Sequence, residues 1–155
     1  MSLFLYSIPL LVLVIGVIVT AKKILHTKWI LSHLVTDTKK LDILLKNERH
    51  MFILFFDEMT CRNVIRNMNM LHSALKDTKV PFAIINTLEE YDYETESSPV
   101  FPYVDHFEIQ FTPTLIFVKN GTKQSVHCQG PDQLQLEKVN KFLSETISKM
   151  NSHAV

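Results

Sequence analysis

The sequence predicts an α/β protein, strands alternating with helices, with one apolar helix in front of it. Three observations carry this reading. Short apolar runs of strand length, Met51–Phe56 and Leu115–Val118 among them, alternate with segments whose apolar residues recur at helical spacing. The step Thr112-Pro113-Thr114 stands directly before the second run, where proline cannot belong to a strand interior and a tight X-Pro turn is the usual place for a cis peptide. Asn120-Gly121 closes the run with the positive φ angles that a two-residue hairpin turn needs.

With 155 residues and 46% hydrophobic content, the chain has room for one compact domain of roughly 100 to 120 residues and one further element. Lys+Arg and Asp+Glu both number 16, so the basic footprint of a nucleic-acid binder is missing and no nucleic-acid partner is expected. The further element is Leu3–Ala21, which holds no charged side chain. Its length as a helix is about 29 Å, close to the hydrocarbon thickness of a bilayer, and predicts a single transmembrane anchor over residues 3–21. A cleaved signal peptide is the rival: Val19-Thr20-Ala21 offers small residues for cleavage, but Met1-Ser2 lacks the basic start of such a segment.

Residues 22–36 read as a juxtamembrane linker or helix, with Ile24, Leu25, Trp29, Leu31 and Leu34 interleaved among lysines and polar residues. Trp29 among Lys22, Lys23 and Lys28 suits the headgroup layer, and a plain continuation of the membrane helix into water accounts for the same pattern. All these cations, with Lys39 and Lys40, follow the span, which by the positive-inside rule puts the large domain in the cytoplasm of a single-pass membrane protein.

The domain proper is expected over 37–150, with 151–155 as a tail. Thr36-Asp37-Thr38 offers capping side chains for a helix carrying Leu41, Leu44 and Leu45 through about Asn47. Met51–Phe56 reads as a central strand buried on both faces. A loop over 57–60, a helix from about Cys61 to Lys76 and a strand over Val80–Ile85 complete a βαβ unit. Thr87–Pro102 carries five acidic residues and no cation, and reads as solvated loop or as a surface for a basic peptide. Val104–Phe111 is a short helix candidate, Ser125–Cys128 an edge strand, and Gly130-Pro131 the opening of a last helix bearing Leu134, Leu136, Val139, Phe142, Leu143 and Ile147.

Phe111–Gly121 resembles the cis-proline loop of the thioredoxin superfamily, and Phe55-Phe56-Asp57-Glu58-Met59-Thr60-Cys61-Arg62-Asn63-Val64 resembles its strand-to-helix corner. The resemblance implies a thioredoxin-like fold, a three-layer sandwich with a central mixed sheet flanked by helices, together with a reactive thiol at Cys61 favoured as thiolate by the helix start and a cation at Arg62 that favours it further. It also implies that Thr112 and Pro113, with Thr60 and Arg62 beside the thiol, hold an extended substrate peptide. The family's second cysteine is Val64 here, so no neighbouring thiol releases a mixed disulfide. An ungapped alignment instead sets Thr60 and Asn63 at the cysteine positions. The buried acid that assists proton transfer in thioredoxins falls on Leu54 or Phe55.

Cys128 follows the last strand where the family's glycine loop borders the active site. It is a candidate partner of Cys61, in a bridge or as a second catalytic thiol; two free thiols are the other reading. Cys61 as a small residue at a helix start stays open too.

The apolar N-terminus, small domain, acidic stretch and Thr-Pro-Thr step together are similar to membrane-anchored thioredoxin-like accessory proteins of bacteriocin and other secreted-peptide systems. Tethered bacterial relatives mostly work on the outer face, which keeps an extracytoplasmic domain open against the charge rule. The expected function is assistance to a partner or secreted peptide through monothiol thiol-disulfide chemistry at Cys61. The alternatives are a non-catalytic peptide-binding module using the cis-proline groove, and a subunit that only docks to a larger membrane complex.

The seven histidines show no zinc-ligand spacing, so neither metal nor cofactor is expected. Asn120-Gly121-Thr122 matches a glycosylation sequon that the hairpin turn explains by itself.

Overall fold

The computed structural model describes residues 3–57, 71, 74–75, 78–127 and 135–152, with side chains from Leu13 onward except those at 22–23, 26–27, 127 and 136. Two compact units follow one another, Met1–Ser32 and His33–Val155.

In the first unit the chain is one unbroken helix, α1 (Leu3–His33), so the juxtamembrane residues through His33 continue the helix that starts at Leu3. Most of its described apolar side chains are exposed, Leu13 at 63%, Val17 at 61% and Leu25 at 62% among them, while Trp29 and Ile30 are half-buried. Thr20 returns its hydroxyl to the Gly16 carbonyl at 2.8 Å, which satisfies a polar group without solvent. Among the described residues no helix is long and apolar enough to cross a membrane, a set that omits the side chains of residues 3–12.

The second unit is an α/β sandwich around a four-stranded sheet. Its elements are α2 (Thr38–Asn47), β1 (His50–Phe56), β2 (Phe82–Asn86), α3 (Phe101–His106), β3 (Thr114–Lys119), β4 (Thr122–His127) and α4 (Leu136–Ser152). Strand order is β2-β1-β3-β4. β1 runs parallel to β2 and antiparallel to β3, and β4 returns antiparallel to β3, which makes the sheet mixed. One further rung lies outside β2, where Leu34 bridges to Ile84 in parallel sense and Val35 donates its N–H to the Ile84 carbonyl at 2.9 Å. Leu34 is thus sheet rather than helix.

Met51 through Phe56 are all buried, as a strand covered on both faces requires. Met51, Ile53 and Phe55 meet Ala83, Ile85, Ile116, Val118, Leu41, Val100 and Phe107 on one face, under α2 and α3. Phe52 turns to the other, where it contacts Phe117 at 5.3 Å and Phe142 of α4 at 6.0 Å between ring centroids.

Local chemistry sets the ends. Asp37 caps α2, its carboxylate accepting the Lys39 N–H at 2.9 Å. Asn120 (φ 50°) and Gly121 (φ 74°) form the β3–β4 hairpin turn.

Three elements differ from the sequence reading by more than one residue. β2 starts at Phe82 rather than Val80, because Pro81 has no N–H to give and only its carbonyl pairs, accepting from Phe52 at 2.9 Å. α3 covers Phe101–His106 instead of 104–111: Pro102 sits in its first turn and Glu108, at φ 50°, ends it. β4 is Thr122–His127, and the expected helix starting at Gly130-Pro131 is described only from Leu136. Of the expected 61–76 helix, Leu71, Ala74 and Leu75 are described and helical, with Leu71 and Leu75 buried; the rest lies outside the described residues.

Candidate functional site

The sheet register gathers four chain ends at one edge. Phe55 pairs with Thr114 and Phe56 with Asn86, while Leu115 faces His127. The Thr112-Pro113 step therefore enters the sheet alongside the carboxyl end of β1, the point from which the chain runs on through Asp57 toward Cys61. The Thr112-Pro113 peptide is cis, the isomer expected from the sequence. Pro113 is buried, Thr112 half-buried, and Phe111 before them 57% exposed.

Polar groups hold this edge in shape. Thr114, only 2% exposed, donates its hydroxyl to the Phe111 carbonyl and so fixes the loop from inside. Thr87 closes the end of β1 twice, its N–H reaching the Phe56 carbonyl at 2.8 Å and its hydroxyl the same oxygen at 3.2 Å. Asn86, 5% exposed, accepts the Leu88 N–H at 3.2 Å. Phe111, Asn86 and Thr87 were not among the sequence candidates. The polar Asn-Thr pair closing an apolar strand was the available signal.

Of the sequence candidates, Thr112 and Pro113 stand together at this edge. Thr60, Cys61, Arg62 and Cys128 lie outside the described residues, as does Val64. At the positions where the family's buried acid falls, Leu54 and Phe55 are both 0% exposed and apolar. No ionisable side chain is buried among the described residues, so nothing described there can carry a buried proton relay. No group of three metal-ligating side chains gathers among them either.

The acidic stretch folds as a closed turn. Asp92 and Ser97 exchange backbone hydrogen bonds at 2.8 and 3.2 Å. The Asp92 carboxylate accepts from the Thr95 hydroxyl at 2.7 Å and the Glu94 N–H at 2.9 Å. The Thr95 bond first, then the Glu94 N–H, holds its carboxyl below the usual range. Asp92 thus shapes the loop, and Glu90, Glu94 and Glu96 are exposed on it.

Two described cavities lie at the opposite end of the sheet. One of 930 Å³ runs between Leu45, Tyr103, His106 and the Gly121 turn. Another of 690 Å³ runs between His50, Phe117 and Phe142.

Comparison with solved structures places this architecture. A mutant thioredoxin from Halobacterium salinarum superposes with a TM-score of 0.54 at 12% identity, over 72% of this chain and 87% of that one. Oxidised thioredoxin from Plasmodium falciparum gives 0.54 at 21% identity, over 70% and 95%. Mitochondrial thioredoxin 3 from Saccharomyces cerevisiae gives 0.51 at 16% identity, over 72% and 92%. At these identities the likeness is one of fold, and the fold is thioredoxin-like. No protein-family model and no curated protein sequence matches the chain.

Proposed function

We propose that the protein is a membrane-anchored, thioredoxin-like partner-binding protein. It holds an extended peptide along the Thr112-Pro113 edge and bonds it covalently through the Cys61 thiol. One observation carries this: the Phe55–Thr114 pairing brings the proline step beside the strand end that leads, four residues after Asp57, to Cys61. Cys61 follows this strand end in sequence, which supports thiol chemistry on a peptide lying across Thr112.

The chemistry is that of a monothiol. The Cys61 thiolate attacks one sulfur of a partner disulfide, a new S–S bond forms, and the other partner sulfur leaves as a thiolate. With valine at position 64, release falls to an external thiol or to Cys128. The apolar 3–21 segment supports the anchor, and Lys22, Lys23 and Lys28 after it favour a cytoplasmic domain. Assistance to a secreted peptide, the accessory role of similar tethered proteins, belongs to the same reading.

A second reading is a non-catalytic peptide-binding module. The apolar Leu54 and Phe55 favour it, since no ionisable side chain is buried among the described residues. pH-dependent alkylation of the full chain with Cys128→Ser separates the two. A Cys61 pKa well below the free-thiol value of about 8.5 supports the monothiol, and an ordinary value supports the binding module.

A further inference from the structure

The 690 Å³ cleft lies at the pole opposite the proline edge, on the sheet face that α4 covers. The seven residues of β1 separate it from Phe56 by about 20 Å at strand rise. Its floor is apolar and aromatic: Phe117, Phe142, Val126 and Met150 line it. His50 stacks on Phe117, with centroids 5.9 Å apart and planes 7° apart. Phe142, Thr146, Lys149 and Met150 recur on α4 at the spacing of one helix face, so the last turns of that helix form one wall.

The rim is mainly cationic. Arg49, Lys119 and Lys149 all line the cleft, and none of them forms an ion pair among the described residues. The single acid of the lining, Glu145, lies 3.9 Å from Lys141 on its own helix. Three cations over an aromatic floor attract a molecule with an apolar body and one negative end. Burial holds the His50 pKa below its usual value, and the nearby cations Arg49 and Lys119 add to that push.

We propose that this cleft binds a small amphipathic anion, with an aliphatic or aromatic body on Phe117, Phe142 and Met150 and a carboxylate or phosphate on Arg49, Lys119 and Lys149. Its volume falls in the range of small-molecule sites, about 300–1,000 Å³, and the site is separate from the proline edge.

The test uses the full chain and a diazirine-bearing dodecanoate, with adducts mapped by mass spectrometry. Labelling is expected in the segments holding Phe117–Val126 and Phe142–Met150. Excess dodecanoate or dodecyl phosphate should compete, and the stronger of the two identifies the head group; uncharged dodecanol should not. Lys119→Glu/Lys149→Glu, a change of rim residues only, should reduce labelling there at least tenfold while leaving any labelling of residues 3–33 unchanged. A second readout is the imidazole NMR titration of His50, which faces Arg49, Lys119, Lys149 and Glu145: its pKa should rise when dodecanoate is added. Labelling confined to residues 3–33, equal competition by dodecanol, or full labelling of the double variant would overturn the proposal.

Discussion

Thr114 sits directly across from Phe55 in the antiparallel β1–β3 ladder, with its hydroxyl turned back onto the Phe111 carbonyl. This one pairing sets where the proline loop meets the end of β1. Thr114→Val keeps the shape and deletes the hydrogen bond, so a stability loss of about 1 kcal/mol is expected by denaturant melting. Weaker partner capture should accompany it, because the loop loses its internal tie.

Tyr103 joins two helices. Its phenol donates to the Asp42 carboxylate at 2.7 Å, linking α3 to α2. Burial first, then the Asp42 bond, pushes its pKa up to about 12. A raised pKa favours the neutral phenol in the native state, so the stability it brings is complete below the ordinary tyrosine value of about 10 and is lost as pH rises toward 12. Absorbance titration should show one late-ionising tyrosine in the native protein, absent in Tyr103→Phe. Asp42→Asn should move it downward only in part, because burial remains.

Phe107 is wholly buried and meets Phe55 at 6.0 Å between ring centroids. Phe107→Ala removes a ring from the core beneath α3 and should cost about 3–5 kcal/mol. A melting temperature equal to wild type would show that this face of the sheet is not packed as described.

Gly121 occupies the left-handed region at φ 74°, and a Cβ placed there would meet only the Leu45 carbonyl, at 4.0 Å. The cost of Gly121→Ala is therefore conformational and not steric, about 1–2 kcal/mol. Gly121→Asn should recover part of it, since asparagine tolerates this region better than alanine.

The centre of the fold was readable because its signals are local. Met51–Phe56 is too short and too apolar to be other than a buried strand, and Asn120-Gly121 has one natural use between two strands. What escaped the sequence depends on partners distant in the chain. Leu34 continues a helical pattern, yet it bridges to Ile84, far along the chain in β2. The early start of α3 turns on Pro102 and on Glu108 adopting a positive φ. At the edge, the cis Thr112-Pro113 step was legible from its own residues, whereas Asn86 and Thr87 acquire meaning only when β2 lies beside β1. The cationic cleft was invisible for the same reason: Arg49, Lys119 and Lys149 are far apart in sequence and meet only through sheet register and helix packing.

The most direct measurement is covalent trapping of partners by the full chain with Cys128→Ser, quenched in acid, alkylated and run without reductant. The expected result is a dithiothreitol-sensitive adduct that disappears with Cys61→Ser and weakens with Thr112→Arg, which crowds the proline edge. Adducts indifferent to Cys61→Ser, or none from a chain whose Cys61 ionises near the free-thiol value, would contradict thiol capture at this edge.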